Sequence, residues 1–348
     1  MLLPLESVAR RVPTARAPLR TRMAIWAAGG AGLALAMALL LRVGIPEVLR
    51  IVSTAGWRLL WLVPVHIAPL ALSAIGWRRV IPAADAPGRV YLTWAAAVRE
   101  AIGGLLPTGP VGGDVAGVWL LVRRVVDVPT AGASVVVETT IWMIAQLIFA
   151  GVGLMLLLTS STSGPMPRWV ALGLLVGAVA IAAFILAQHR WDLFRQLQRV
   201  LGAIAGKEVF RAFGDAARLD RAIRVLYRDR RSVTVCLVWQ LASLCAGALE
   251  LWIALHLLGQ PSSMRAALVI ASVTEAVRSA TFFVPAGLGT QEGSFLLIGA
   301  AVGLSPGASL ALSLACRARQ LLLGIPAIGS MLWSERSALA RWAGRNLT

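Results

Sequence analysis

The sequence predicts an all-α polytopic membrane protein with about six transmembrane helices, two re-entrant helical hairpins and an inverted repeat. Composition is the first reason: 58% of the 348 residues are hydrophobic and 14% are charged, whereas soluble domains are about half apolar and about a quarter charged. Uncharged runs long enough to cross a bilayer are the second reason, and residues 169–188 form one of them. The third is that two other hydrophobic stretches are interrupted by proline, glycine and acidic residues.

The first predicted span follows a basic N-terminal segment, residues 1–22, and covers residues 23–41. A cleaved targeting peptide is the alternative. The apolar run is longer than a signal-peptide core and more spans follow it, which favours a retained helix. The remaining spans are expected at about residues 59–77, 131–158, 169–188, 233–258 and 308–333.

Arginines between the spans predict the orientation. A net charge of +17 is also typical of nucleic-acid-binding proteins, but loop arginines fit the positive-inside rule and contact with anionic headgroups. We therefore expect a membrane protein without a nucleic-acid partner. Both termini would be cytoplasmic, residues 23–335 would form a single transmembrane domain, and residues 336–348 would form a tail.

The most charged internal segment, residues 190–231, has apolar residues at helical spacing. This pattern predicts cytoplasmic amphipathic helices that lie on the inner leaflet, with their arginines toward anionic lipid. A solvated charged loop is the alternative.

Residues 90–122 and 266–304 do not fit the pattern of simple spans, because each has an apolar arm, a tip rich in helix breakers and a second apolar arm. Irregular backbone survives in a membrane only where it packs in protein or lines a wet cavity. Both stretches are therefore expected to be re-entrant hairpins. Ordinary spans kinked at proline are the alternative.

An inverted repeat follows from this arrangement. Span two, hairpin one and span three would form one unit, and span five, hairpin two and span six would form the same unit upside down. Inverted repeats whose broken helices meet near the midplane are typical of alternating-access transporters.

Charged and polar residues inside apolar segments indicate a binding site, because such residues are costly there and usually face a cavity or a partner. Alternatively, they only pair to hold helices together, Glu275 with Arg278 and Glu292 with Arg317. Other such residues lie closer to the interfaces, and their role stays open: Arg99, Glu100, Glu138 and Glu250. The candidate substrate-binding residues are Pro107, Gly112, Gly113, Asp114, Glu275, Arg278, Gly287, Gly289, Gln291, Glu292, Arg317, Arg319 and Gln320.

The glycines of the second tip, "PAGLGTQEG", allow positive φ and close approach of a headgroup or backbone. The free N–H groups of the arm that follows would favour an anionic group such as phosphate. Arg317 and Gln320, three residues apart, would share one helix face, and Arg319 would point elsewhere.

Catalytic and metal-binding patterns are missing from the sequence. His66, His189 and His256 have no metal spacing and are expected to be interfacial or packed, and the three cysteines are expected to be small core residues. No nucleophile elbow or phosphate-binding loop is present. The sequence therefore predicts neither an enzyme nor a cofactor.

The motifs "LLPTGPVGGDVAGVWLLVRR" and "FFVPAGLGTQEGSFLLIGAAVGL" resemble those of the flippase-like family that includes the transmembrane domain of lysylphosphatidylglycerol synthase. The likeness covers about residues 20 to 335 and is greatest to the branch associated with hopanoid biosynthesis. By position, the first motif is matched by Pro107, Gly112, Gly113 and Asp114, and the second by Pro285, Gly287, Gly289 and Glu292. The synthase's soluble aminoacyl-transferase domain has no counterpart here, so lipid aminoacylation is not implied.

The resemblance implies movement of an amphiphilic lipid, of phospholipid or hopanoid type, between leaflets. Its polar or anionic head would bind between the hairpins. Transport would run downhill or be coupled to an ion gradient, with Glu292 or Asp114 as proton carriers. The alternatives are a non-transporting scaffold that gathers lipid-biosynthesis enzymes, and an intramembrane lipid-modifying enzyme.

Overall fold

The computed structural model describes residues 37, 38, 41, 42, 44–106, 109–124, 126–159, 216–281, 284 and 287–345, with side chains up to residue 334. These residues form helices and no strand. The first and fourth predicted spans, the basic N-terminus and residues 190–215 lie outside the described residues.

The helices of the described chain run as follows. The first part contains α1 (Ile45–Ala55), a 3-10 helix (Gly56–Trp61), α2 (Leu62–Val80), α3 (Arg89–Leu105), α4 (Gly109–Val122) and α5 (Val128–Leu158). The second part contains α6 (Ala216–Arg228), α7 (Arg230–Leu257), α8 (Met264–Ala280), α9 (Thr290–Ala301) and α10 (Pro306–Arg345).

Four helical stretches of the described chain are long and apolar enough to cross a membrane: Ile45–Val80, Val128–Leu158, Arg230–Leu257 and Pro306–Ser334. They correspond to predicted spans two, three, five and six, which confirms an all-helical membrane protein. The first of these stretches begins at Ile45, well before the predicted start at 59, because α1, the 3-10 helix and α2 follow one another without a gap. The total number of spans and the re-entrant nature of the hairpins stay predictions.

Short polar side chains set where the long helices begin. The Asp127 carboxylate accepts the Thr130 N–H at 3.3 Å at the start of α5. The Ser263 hydroxyl accepts an N–H in the same way at the start of α8. Asp229 caps α7 and accepts from both the hydroxyl and the N–H of Ser232, which lowers the pKa of this carboxyl. Each cap satisfies a backbone donor that a helix start leaves without a partner.

The segment predicted to be amphipathic ends in α6, which packs on α5. Leu219 of α6 lies against Gly132 of α5, and Ile223 is fully buried. The apolar side of this part of the segment therefore packs against protein.

Each interrupted stretch folds as a pair of adjacent helices, α3 with α4 and α8 with α9. The two tips turn in the same way. Gly109 and Gly287 both have positive φ, 60° and 57°. Each donates its N–H three residues back, Gly109 to Leu106 at 3.2 Å and Gly287 to Val284 at 3.0 Å. Glycine is needed here because a side chain disfavours positive φ.

The two tips share a sequence pattern at a constant spacing. Proline is followed two residues later by the positive-φ glycine and seven residues later by an acidic residue, and each equivalent pair lies 178 residues apart. The pairs are Pro107 with Pro285, Gly109 with Gly287, and Asp114 with Glu292. At this spacing α2 corresponds to α7, α3 to α8, α4 to α9 and α5 to α10.

Equivalent helices also pack on equivalent partners. Helix α3 packs on α10, and α8 packs on α5. Ala101 of α3 lies against Gly324 of α10, while Ser279 of α8 bonds to Gln146 of α5. Both residues of the second pair lie 178 positions from those of the first.

Helices α2 and α7, which are equivalent, run in opposite directions along each other. Three contacts in order show this: Gly76 lies against Trp239, Ser243 donates to the Pro69 carbonyl, and His66 contacts Glu250. Any two-fold relation between the two units therefore has its axis perpendicular to these helices, which is the geometry of an inverted repeat.

Two apolar cores hold the bundle together. One lies mainly between α2, α3, α4 and α5 and includes Trp77 and Leu120. The other lies mainly between α1, α7, α8, α9 and α10 and includes Ile270 and Leu310. Cys236 and Cys316 are buried as expected. Cys245 is exposed on α7, so the expectation of a core position for it is wrong.

A test of the first hairpin is Gly113→Ala. A Cβ at Gly113 would lie 2.4 Å from the Arg99 carbonyl oxygen, so α3 and α4 would have to separate, at a cost of about 1–3 kcal/mol. We expect a lower midpoint of thermal unfolding in detergent, followed by tryptophan fluorescence. The matched control is Gly151→Ala on α5, where a Cβ would contact nothing within 4 Å and alanine favours helix by about 1 kcal/mol. Equal midpoints for the two variants would contradict the close packing at Gly113.

Candidate functional site

Charged side chains gather inside the bundle where the hairpin arms meet the long helices. They form three groups, which we call the tip cluster, the Arg99 cluster and the central cluster. The long helices supply residues in each group, and the hairpins supply the remainder.

The tip cluster fixes the second hairpin to α10. Arg317 donates from Nε to Glu292 at 3.1 Å and from Nη2 to the Gly287 carbonyl at 3.1 Å. The other Glu292 oxygen accepts the Gly289 N–H at 2.8 Å, so this carboxylate also caps the start of α9. Glu292 is 5% exposed and Arg317 16%.

Gln291 strengthens the same attachment. Its amide nitrogen lies 3.3 Å from the Ser313 hydroxyl of α10, and both residues are buried. The tip cluster therefore joins the turn, the first turn of α9 and α10 into one unit.

The Arg99 cluster joins three helices of the first unit. Arg99 of α3 donates to Asp114 of α4 at 2.7 Å and to Glu138 of α5 at 2.9 Å. Its guanidinium also lies over the Trp77 ring, 4.5 Å from the centroid, in a cation–π contact. The second Glu138 oxygen accepts from Gln240 of α7 at 2.7 Å.

Glycines make room for the Arg99 side chain. A Cβ at Gly117 would lie 2.7 Å from its Cδ, and one at Gly113 would meet the Arg99 backbone. Gly112, next to Gly113, is half-buried. The glycines of the first motif thus allow α4 to approach α3 closely.

The central cluster joins both units. His66 of α2 donates from Nε2 to Glu100 of α3 at 3.0 Å, and its Nδ1 lies 2.7 Å from Glu250 of α7. Arg319 of α10 donates to Glu250 at 2.8 Å and also contacts Nδ1 of His66. Four helices therefore meet at one histidine.

A small cavity, which we call the central cavity, opens beside the central cluster. Its volume of about 20 Å³ is room for about one water molecule. Its polar lining consists of His66, Glu100, Arg278, Arg319 and Gln320, and Gly104 and Gly324 form part of its apolar wall.

Two of the lining charges are accessible and the others are enclosed. The Arg278 side chain is 40% exposed and that of Glu100 35%, against 10% for Arg319 and 5% for Glu250 behind it. The cavity therefore presents one accessible guanidinium and one accessible carboxylate.

Several donors at the cavity are not engaged within the described part of the chain. Arg278 donates through Nη2 to Glu275 at 2.5 Å, and no contact is seen for its other nitrogens. Nε of Arg319 is buried and has no hydrogen-bond partner. A guanidinium offers five N–H donors, and a buried donor without an acceptor is costly. The cavity can therefore hydrogen-bond an acceptor that enters it.

A larger cavity of about 510 Å³ lies at the loop between α2 and α3. Among its lining residues, Arg124 stacks on the Tyr91 ring at 4.4 Å, and the Tyr91 hydroxyl donates to the Leu120 carbonyl. It shares no lining residue with the three clusters, and two of its polar side chains, Arg124 and Tyr91, are engaged with each other.

The sequence-predicted site residues thus fall into separate places. Arg278, Arg319 and Gln320 line the central cavity, with Glu275 bound to Arg278. Gly287, Gly289, Gln291, Glu292 and Arg317 build the tip cluster. Gly113 and Asp114 lie against Arg99, with Gly112 beside them in α4. Pro107 and Pro285 lie outside the described residues.

Two details bear on the sequence prediction. Gln320 lines the cavity with Arg319, while Arg317 binds the hairpin tip, so Arg317 and Gln320 serve different sites although they are three residues apart. The pairs Glu275–Arg278 and Glu292–Arg317, which the alternative interpretation required, are both present.

His66 is the residue whose importance the sequence did not show. It is packed, as expected, but it bridges two carboxylates of different units. A histidine in an apolar helix was the only signal, and it carries no information about partners far along the chain. Within the described residues, no group of His, Cys, Asp and Glu is arranged to hold a metal ion.

The tip cluster gives a stability test. Arg317→Gln leaves the Glu292 carboxylate buried without its ion-pair partner, and breaking a buried pair in this way costs about 3–5 kcal/mol. We expect a clear fall in the thermal midpoint in detergent. The double variant Glu292→Gln/Arg317→Gln should recover much of the loss, since no charge is then left unpaired. A double variant as unstable as the sum of both single variants would contradict coupling between these residues.

Comparison with known proteins identifies the family of the chain. Neither curated proteins nor solved structures give a match to the chain. The family model described as "Lysylphosphatidylglycerol synthase TM region" matches residues 25–327, which include both hairpins and all three charge clusters. The chain is a membrane protein of the lysylphosphatidylglycerol synthase transmembrane-region family.

Proposed function

We propose that this protein moves an amphiphilic lipid between membrane leaflets and that the lipid headgroup passes through the central cavity. It would act as a transporter and not as an enzyme. A phospholipid or a hopanoid-type lipid would be the substrate. Family membership supports a role connected with membrane lipids, and the arrangement of charge supports the transport step.

The observation that carries the proposal is that accessible charges line a cavity beside the middle of a membrane-spanning helix. Arg319 stands near the centre of the span Pro306–Ser334, and Arg278 and Glu100 face the cavity beside it. A charge at the centre of a membrane helix costs about 2.5–3.5 kcal/mol on insertion scales, and such charges mark transport pathways. A purely structural cluster has no need of charges that are more than a third exposed.

The fold suits alternating access. The cavity lies between α3 of the first unit and α8 and α10 of the second, so its two sides belong to different repeats. Movement of one unit against the other would open it to opposite leaflets in turn. The tail of the lipid would stay in the bilayer, against the many exposed apolar side chains on the outside of the helices.

The two candidate proton carriers differ in accessibility. Glu292 is 5% exposed and is held by Arg317, whereas the Asp114 side chain is 34% exposed. Of the two, Asp114 is better placed to exchange a proton during transport. We place the protein in the bacterial inner membrane, as the family resemblance implies, and both termini in the cytoplasm, on the distribution of its arginines.

The test is a lipid-flipping assay in proteoliposomes with acyl-labelled phospholipids and a labelled hopanoid. Purified native protein should bring labelled lipid to the outer leaflet, where dithionite bleaches it. Arg278→Gln should slow this about tenfold, because the lost charged hydrogen bond is worth about 1.5–3 kcal/mol. The matched control is Arg265→Gln, on the same helix but near the opposite end, where Arg265 bonds to Thr159.

Three outcomes decide between the alternatives. Equal loss in both variants would remove the cavity from the mechanism. No flipping of any lipid by folded native protein would favour the scaffold. A lipid of changed mass recovered from the vesicles would favour the lipid-modifying enzyme.

A further inference from the structure

We infer that the central cavity, once movement of the two units opens it, selects a zwitterionic headgroup, in which an anionic phosphate lies against Arg278 and an ammonium group lies against Glu100. The inference rests on the proposed function and adds the chemical class of the substrate. It follows from the kind, position and accessibility of the charges in the cavity.

Glu100 and Arg278 occupy equivalent positions of the two repeats. They lie 178 residues apart, the same spacing as the tip prolines, glycines and acids. Each stands seven residues before the tip proline of its own hairpin. Both line the same cavity, and they are its two most exposed charges. The repeat thus places opposite charges in one pocket.

The side of the cavity toward Arg278 is a site for an anion. Arg278 has nitrogens beyond the one bound to Glu275, and Arg319 and Gln320 line the same wall. Within the described part of the chain, the buried Nε of Arg319 has no hydrogen-bond partner. A phosphate oxygen that reached this nitrogen in an opened cavity would satisfy it. Guanidinium groups bind phosphate with short, charge-assisted hydrogen bonds.

The side toward Glu100 is a site for a cation. His66 approaches both Glu100 oxygens from one direction, at 3.0 and 3.1 Å. A carboxylate has about four acceptor positions, so the accessible face of Glu100 can still accept from an ammonium group. Glu250 cannot take this role, because it is 5% exposed and bound by Arg319 and His66.

Neither a purely anionic nor a purely cationic headgroup suits this pocket. A lone phosphate would meet Arg278 but would bring a second negative charge close to Glu100. A lone ammonium group would meet Glu100 but would face Arg278 and Arg319. In a poorly hydrated site, repulsion between like charges disfavours the wrong ligand and is a common source of selectivity. A headgroup with both charges matches both walls.

The experiment measures flipping of three acyl-labelled lipids in proteoliposomes: phosphatidylethanolamine, phosphatidylglycerol and a cationic trimethylammonium lipid. Native protein should move phosphatidylethanolamine about tenfold faster than the other two. Glu100→Gln should slow phosphatidylethanolamine about tenfold and leave phosphatidylglycerol as fast or faster. Arg278→Gln should slow both phospholipids. Arg265→Gln, remote from the cavity, should change none of the rates.

The failures can be told apart. If native protein moves phosphatidylglycerol or the cationic lipid at least as fast as phosphatidylethanolamine, the selectivity is wrong and the transport function stands. If it moves none of the three lipids, the proposed function itself fails.

A second measurement uses only native protein, so it tests the inference even if the Glu100→Gln variant does not fold. Soluble glycerophosphoethanolamine should raise the thermal midpoint in detergent at a concentration about tenfold lower than glycerol 3-phosphate does. Equal potency of the two compounds would overturn the inference.

Discussion

A guanidinium or carboxylate buried among apolar helices is strongly destabilising unless an opposite charge accepts or donates its hydrogen bonds. This constraint organises the interior of the protein. Arg99, Arg317 and Arg319 each bind a carboxylate on a different helix, so each buried charge also fixes the distance between two helices. Two of these pairs also attach a hairpin to a long helix: Arg99 of α3 binds Glu138 of α5, and Glu292 of α9 binds Arg317 of α10.

The turn at each hairpin tip likewise depends on hydrogen-bond partners for its buried polar groups. A positive-φ glycine closes the turn by donating its N–H three residues back, in both tips. In the second tip the carbonyl of that glycine and the N–H of Gly289 are satisfied by Arg317 and Glu292. Irregular backbone is thus paired with ionised side chains, which is the condition for its presence inside a membrane protein.

The sequence allowed the fold class to be predicted because hydrophobic runs and breaker-rich interruptions are local features. It also identified most buried charges, since a charge in an apolar run is visible without a structure. The hydrogen-bond partners of these charges could not be predicted from the sequence. Which helix faces Gln320 depends on the relative rotation of α10, and the link from His66 to Glu250 joins residues 184 positions apart. The constant spacing of 178 residues was the signal that could have placed Glu100 opposite Arg278.

The repeat spacing also bears on the energetics of the transport that we propose. If two units of identical sequence exchanged conformations, the two states would be related by a two-fold rotation and would have equal free energy, so neither leaflet would be preferred. Here the same exchange would place the carboxylate of Glu100 in the surroundings that the guanidinium of Arg278 had, because the two residues occupy equivalent positions. The two states would therefore differ in free energy even without lipid, and one of them would be the resting state.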